Sequence, residues 1–179
     1  MTSVIASAAQ AAHSVATSLL STAQVQPGGT IPASQVKEDE PAKTEPLILT
    51  GKNIIVGVPG AFTGTCHAQV PGYIKEFVQF KQKGINNVYI VAVNDVFVMK
   101  AWKAQLAPEG TPVHFIADDK ASFVGSLGLV FDATPVLGGP RSKRFVIITD
   151  GDKVESIAVE PDSSKLTVTA ADVILAQVS

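Results

Sequence analysis

Three runs of nearly continuous, largely β-branched hydrophobicity constrain this chain more than any other feature: Asn53–Val58, Val88–Val93 and Val113–Ala117. A strand with one face in water alternates apolar and polar side chains, so uninterrupted runs predict strands covered on both faces. Helix-sized segments separate them. The first continues through Phe80 and ends near Gly84. The second is Val96–Leu106, with apolar positions at Val96, Met99, Trp102 and Leu106, and a short third, Ala121–Leu127, stops before Gly128. Strand, helix and strand in succession predict a parallel sheet between two helical layers.

The pattern then changes. Arg144–Thr149 and Lys153–Val159 are β-rich runs joined by Asp150-Gly151-Asp152, which predicts an antiparallel hairpin. Ala170–Gln177 reads as a closing helix with Thr169 as N-cap and Asp172 in the first turn, where an acidic group suits the helix dipole. Parallel strands, a hairpin at one side and helices on both faces predict an α/β three-layer sandwich with a mixed central sheet, a thioredoxin-like architecture.

A chain of 179 residues has room for one domain, or one domain and an appendage, because independent cores take about 100–200 residues. The predicted boundary separates an N-terminal extension, residues 1–26, from a folded domain, residues 27–179. In the extension Ile5, Ala8, Ala12, Val15 and Leu19 recur at helical spacing, which leaves two readings: a short amphipathic helix or a frayed terminus. The extension holds no Lys or Arg, which argues against export and mitochondrial signals, and the final Gln177-Val178-Ser179 lacks the Ser-Lys-Leu peroxisomal address. The expected compartment is the cytoplasm, with mitochondria as the alternative. Residues 27–46 carry four prolines and the charge run Lys37–Glu40, which predicts an extended surface connection, at most one short strand and a solvated charge run.

Hydrophobic residues make up 46% of the chain and charged residues 17%, with a net charge of -2, which excludes a disordered acidic tail and predicts no nucleic-acid partner. No apolar run approaches the roughly 18–20 residues of a membrane span, so no membrane partner is expected. A single cysteine, Cys66, excludes an internal disulfide and a zinc site built from several thiolates, and suits a reducing compartment.

Cys66 falls where the first core run leaves through Pro59-Gly60 and enters a helix, so its sulfur is predicted in the first helical turn. Free amide N–H groups and the positive end of the dipole favour a thiolate there. On composition alone a lone cysteine is a buried packing residue. Thr63, three residues earlier, shifts the reading: that spacing brings a hydroxyl to the same side of the turn, able to donate to the sulfur or to a bound oxygen. Pro59 fixes and shields the loop.

Pro59, Thr63 and Cys66 spell P-x-x-x-T-x-x-C, which resembles the active-site motif of peroxiredoxins. The stretch VPGAFTGTCHAQVPGY, Val58–Tyr73, is similar to the form found in the Prx5-like branch that includes fungal alkyl hydroperoxide reductases. Similarity continues through Val91–Trp102, Phe115–Asp119 and Ser142–Gly151, and covers the chain roughly from Ala23 onward. The resemblance implies a thiol-dependent peroxidase acting on hydrogen peroxide and alkyl hydroperoxides. It implies Cys66 as the peroxidatic nucleophile, Arg144 as its guanidinium partner, and Thr63, Pro59 and the N–H groups of Thr65 and Cys66 as groups around the substrate. A guanidinium stays charged, favours a neighbouring thiolate and donates to two oxygens at once. Arg141, the other arginine, reads as a loop charge. No metal, haem or flavin is required.

Departures from the family pattern also carry information. Gly64 stands where proline commonly follows the threonine, and His67 where a small hydroxyl residue is common. His67 reads as a partly exposed helix residue and His114 as a satisfied structural one. Relatives with a second thiol place it near the position of Val168 or in an early loop; here both lack it. The oxidised Cys66 must then be regenerated by an external thiol such as glutathione, glutaredoxin or thioredoxin, or by another subunit's Cys66. The family implies a homodimer joined by loops around the site, with Phe62, Phe97 and the region of Pro108 as contact candidates. Two other classes compete: a peroxide sensor or chaperone-type domain relaying oxidation to a partner, and a thiol transferase. The second ranks last because Gln69 occupies the place where a second Cys or a Ser is wanted.

Overall fold

The computed structural model describes residues 23–178. The helix expected within residues 1–26 lies outside the described residues. In chain order the elements are β1 (Gln35–Val36), β2 (Glu45–Pro46), β3 (Lys52–Val58), α1 (Gly64–Lys75), α2 (Phe77–Gln82), β4 (Ile85–Ala92), α3 (Val96–Leu106) and β5 (His114–Ala117). There follow α4 (Ser122–Ser126), β6 (Val130–Asp132), α5 (Thr134–Leu137), β7 (Pro140–Ser142), β8 (Phe145–Asp150), β9 (Lys153–Val159) and α6 (Ala171–Gln177). The main sheet runs β5-β4-β3-β8-β9. β4 is parallel to β3 and β5, whereas β8 is antiparallel to β3 and β9 to β8, the mixed sheet and hairpin that the sequence predicts.

Both faces of the sheet are covered, as continuous hydrophobicity requires. Ile54, Val56 and Val58 of β3 pack with Val70, Met99, Trp102 and Ile174 from α1, α3 and α6. Ile55 belongs to the opposite cluster, with Val91, Ile116, Phe123, Leu127 and Ile147. Among the described residues no helix is long and apolar enough to cross a membrane.

Four sequence readings need correction. The helical stretch through Phe80 is two helices, since α1 ends at Lys75 and α2 begins at Phe77. Residues 27–46 run over the surface as expected but hold two short strands rather than at most one: β1 pairs with β2, Ile31 and Val36 are buried, and Lys37 bridges to Ala117 of the edge strand β5. The charge run is consequently divided, with Asp39 and Glu40 exposed as expected and Lys37 and Glu38 held against the protein. Lys37 pairs with Asp119 at 2.7 Å, and Glu38 meets His114 Nδ1 at 3.0 Å and Lys103 Nζ at 3.6 Å, because covering an edge strand brings these side chains against the protein. Finally, Thr169 does not cap α6. Ala170 holds that position with no side-chain cap, and the Thr169 hydroxyl is bonded to Glu160.

Candidate active site

Strand register brings two distant segments together. Gly57 of β3 faces Phe145 of β8, so Arg144, one residue earlier, stands beside the point where the chain leaves β3 through Val58 and Pro59. Glycine is needed at that crossing, for a Cβ at position 57 would lie 2.0 Å from the Phe145 ring. The loop that follows is held tightly. The Ala61 N–H donates to Asn94 Oδ1 at 3.0 Å, and Phe62 has a φ of 65°, a conformation costly for a bulky side chain and sustained by its surroundings.

Thr63 is the N-cap residue of α1, but its side chain caps none of the first-turn N–H groups, which stay available to an anion. Its hydroxyl donates to the Gly60 carbonyl at 2.9 Å rather than to the sulfur, a difference from the sequence reading. A carbonyl three residues back is the near acceptor for such a hydroxyl, and satisfying it leaves the threonine oxygen to act as an acceptor. Gly64 opens the helix, and a Cβ at this position would meet nothing within 4 Å, so the first helical position is sterically free.

Cys66, in the first turn, is fully buried, and Arg144 is 1% exposed. Arg144 Nη2 donates to Cys66 Sγ at 3.4 Å and to the Ser163 carbonyl at 2.8 Å, Nε reaches the same carbonyl at 3.0 Å, and Nη1 donates to Gln69 Oε1 at 2.5 Å. The guanidinium is therefore fixed on three sides with one edge toward the sulfur. Thr65 joins the loop carrying Ser163 to the helix start, its hydroxyl donating to the Ser164 carbonyl at 3.0 Å. Sequence reasoning singled out Cys66 and Arg144, which the structure brings into contact, and missed the partners Gln69 and Ser163. Gln69 had a readable signal, because a residue three positions after Cys66 shares its helical face. Ser163 had none, since its carbonyl does the work.

The remaining candidates separate cleanly. Arg141 donates to the carbonyls of Val93 at 3.1 Å and Leu137 at 3.0 Å, so it ties the end of β4 to α5, with its Nη1 beside Gly60 of the site loop and its hydrogen bonds made away from the sulfur. His67 Nδ1 accepts from Trp102 Nε1 at 3.2 Å, which places its ring against α3 rather than on the sulfur. His114 stacks on Tyr89 and pairs with Glu38, the structural histidine that the sequence predicts. Phe97 is 69% exposed and is not a core residue. Among the described residues no three His, Cys, Asp or Glu side chains converge as metal donors would. An open groove of about 970 Å³ is lined by Pro59, Thr63, Thr65 and Arg144 together with Phe131 and Val136.

The Redoxin family model matches residues 26–175. Peroxisomal membrane associated protein 20 of Schizosaccharomyces pombe is 43% identical over 149 residues, covering 83% of this chain and 96% of that protein. Among solved structures, the reduced Prx3 of Vibrio vulnificus in complex with hydrogen peroxide superposes with a TM-score of 0.79 at 34% identity, over 87% of this chain and 100% of that one. Peroxiredoxin 5 of Alvinella pompejana gives 0.77 at 31% identity, over 86% and 97%. The chain belongs to the redoxin family and, within it, to the Prx5-like peroxiredoxins. It is a thiol-dependent peroxidase with one cysteine.

Proposed function

We propose that Cys66 is the peroxidatic nucleophile and that Thr63, Arg144 and the N–H groups of Thr65 and Cys66 orient the peroxide, with Pro59 closing the mouth. The observation that carries the assignment is the 3.4 Å contact from Arg144 Nη2 to Cys66 Sγ, made between two buried side chains at a helix start. The thiolate attacks one oxygen of ROOH, so an S–O bond forms as the O–O bond breaks. Sulfur loses two electrons and becomes a sulfenic acid; the departing oxygen takes a proton and leaves as ROH, or as water from hydrogen peroxide. Charge grows on that oxygen, where preorganised donors stabilise it without reorienting. Hydrogen peroxide and alkyl hydroperoxides are the substrates, and no metal or bound cofactor enters the cycle.

Regeneration uses an external thiol. One thiol condenses with the sulfenic acid and releases water, and a second reduces the mixed disulfide. Burial of Cys66 favours a small thiol such as glutathione, because the start of α1 must open further to admit glutaredoxin, thioredoxin or another subunit's Cys66. The working unit is a homodimer joined around the site, a reading supported by Phe62 and Phe97, 45% and 69% exposed. The cytoplasm, with its reduced thiol pool, is the proposed compartment. Treating the protein with hydrogen peroxide and then glutathione should add the mass of one glutathione at Cys66, and Cys66→Ser should consume no peroxide. Peroxide consumption by Cys66→Ser would overturn the assignment, and a dimer crosslinked through Cys66 would replace glutathione with the partner thiol.

A further inference from the structure

Behind the Arg144–Gln69 contact lies a second buried ionisable group that the peroxidase chemistry above does not use. Glu160, just after β9, is 4% exposed. Its carboxylate accepts four hydrogen bonds: from the Thr167 N–H at 2.7 Å and hydroxyl at 2.5 Å, and from the Thr169 N–H and hydroxyl, each at 2.9 Å. All four donors are neutral. Gln69 Nε2 in turn donates to the Thr169 hydroxyl and carbonyl, each at 3.0 Å. Tyr73 donates to that same carbonyl at 2.7 Å.

These bonds run in one direction. Arg144 Nη1 donates to the Gln69 carbonyl oxygen, the Gln69 amide nitrogen donates to the Thr169 oxygen, and the Thr169 hydroxyl donates to Glu160. A chain of aligned dipoles between a buried cation and a buried anion polarises every link, and the anion decides which way the hydroxyl and the amide point. If the amide turned over, an N–H would face the guanidinium. The backbone reinforces the link, since the Glu160 N–H donates to the Arg144 carbonyl at 2.9 Å. Burial pushes the Glu160 carboxyl up, but the bonds from Thr167 and Thr169 outweigh it and hold the group below its ordinary value, in the ionised form the chain needs.

We propose that Glu160 is a positioning residue for peroxide reduction: acting through the Thr169 hydroxyl and the Gln69 amide, its carboxylate holds the Arg144 guanidinium in register with Cys66. The inference rests on the assignment of Arg144 to the sulfur. Glu160→Gln tests it, because the amide removes the charge that sets the direction of the chain and, in place of the oxygen that accepts from the Thr167 hydroxyl, puts an N–H group facing that hydroxyl. In the full-length protein, single-turnover oxidation of Cys66 by hydrogen peroxide should slow about tenfold, the lower end of what is lost when an orienting partner behind a reactive group is removed. The acid limb of the pH–rate profile should move to higher pH. Deleting an anion that acted only by its charge would do the opposite, because a nearby negative charge disfavours a thiolate.

Thr169→Val should slow the reaction in the same way, and Thr169→Ser, which keeps the hydroxyl, should restore it. A folded Glu160→Gln variant that reacts at the parent rate with an unmoved pH profile, or that reacts faster, overturns the proposal. If that variant does not fold, Thr169→Val reacting at the parent rate overturns it. Arg144→Ala separates the two levels: a silent Arg144→Ala removes the site assignment itself, whereas a slow Arg144→Ala beside silent Glu160 and Thr169 variants removes only this inference.

Discussion

The molecule holds its charges in two contrasting ways. At the edge strand Glu38 touches His114 and Lys103, and Lys37 touches Asp119; all five side chains are partly exposed. At the site the charges are buried and, the Cys66 sulfur that Arg144 faces aside, hydrogen-bond neutral partners: Arg144 the amide of Gln69 and the carbonyl of Ser163, and Glu160 the N–H and hydroxyl groups of Thr167 and Thr169. A contact pair in partial contact with water neutralises itself and contributes modestly to stability. A guanidinium bonded to neutral dipoles keeps its charge for the sulfur it faces. The edge cluster serves the fold, and the buried one surrounds the sulfur to which the proposed chemistry is assigned.

That contrast breaks first at Gln69. Gln69→Met keeps the side-chain length and removes the oxygen that accepts from Arg144, leaving a buried guanidinium N–H without its partner. Peroxide oxidation of Cys66 should slow by more than about tenfold, the cost of a lost hydrogen bond to a charged group. Stopped-flow kinetics on the folded variant read the effect, and an unchanged rate would mean that the guanidinium holds its place without Gln69.

The edge cluster should respond in stability and not in rate. Glu38→Ala should lower the unfolding free energy by about 1 kcal/mol at neutral pH and leave Cys66 oxidation as in the parent. Burial pushes the Glu38 carboxyl up, but its bond to His114, the charges of His114 and Lys103 and the Phe115 N–H outweigh burial and hold it below the ordinary value of 4.5. A carboxyl lowered by folding contributes stability above its unfolded value and loses it as pH falls through the folded one. The difference between parent and Glu38→Ala should therefore shrink below about pH 4.5 in denaturant melts. A difference that grows on acidification would contradict the pairing.

How much of this was legible in the sequence depends on what each residue does. The strands of the sheet were readable because burial on both faces leaves a continuous apolar run, and Cys66 and Arg144 because the proposed chemistry rests on their side chains, in stretches that resemble a known family. The short strands β6 and β7 and the helix between them gave no periodicity to read, since each has only three or four residues. Thr169 was legible as a hydroxyl before a helix, but the reading gave it the wrong partner. A carboxylate nine residues back in sequence, Glu160, takes that hydroxyl once β9 places it there, and nothing local announces the competition. Ser163 acts through a carbonyl, which every residue has, so only the path of its loop makes it a site residue.

Central to the account is that one guanidinium, of the two in the chain, faces the reactive sulfur. Stopped-flow oxidation of Cys66 by hydrogen peroxide in the parent, Arg144→Ala and Arg141→Ala tests this most directly. Arg144→Ala should react about 10²-fold more slowly or worse, as on losing one preorganised donor, with Arg141→Ala affected far less. Equal losses in the two variants, or an Arg144→Ala protein that keeps the parent rate, would contradict it.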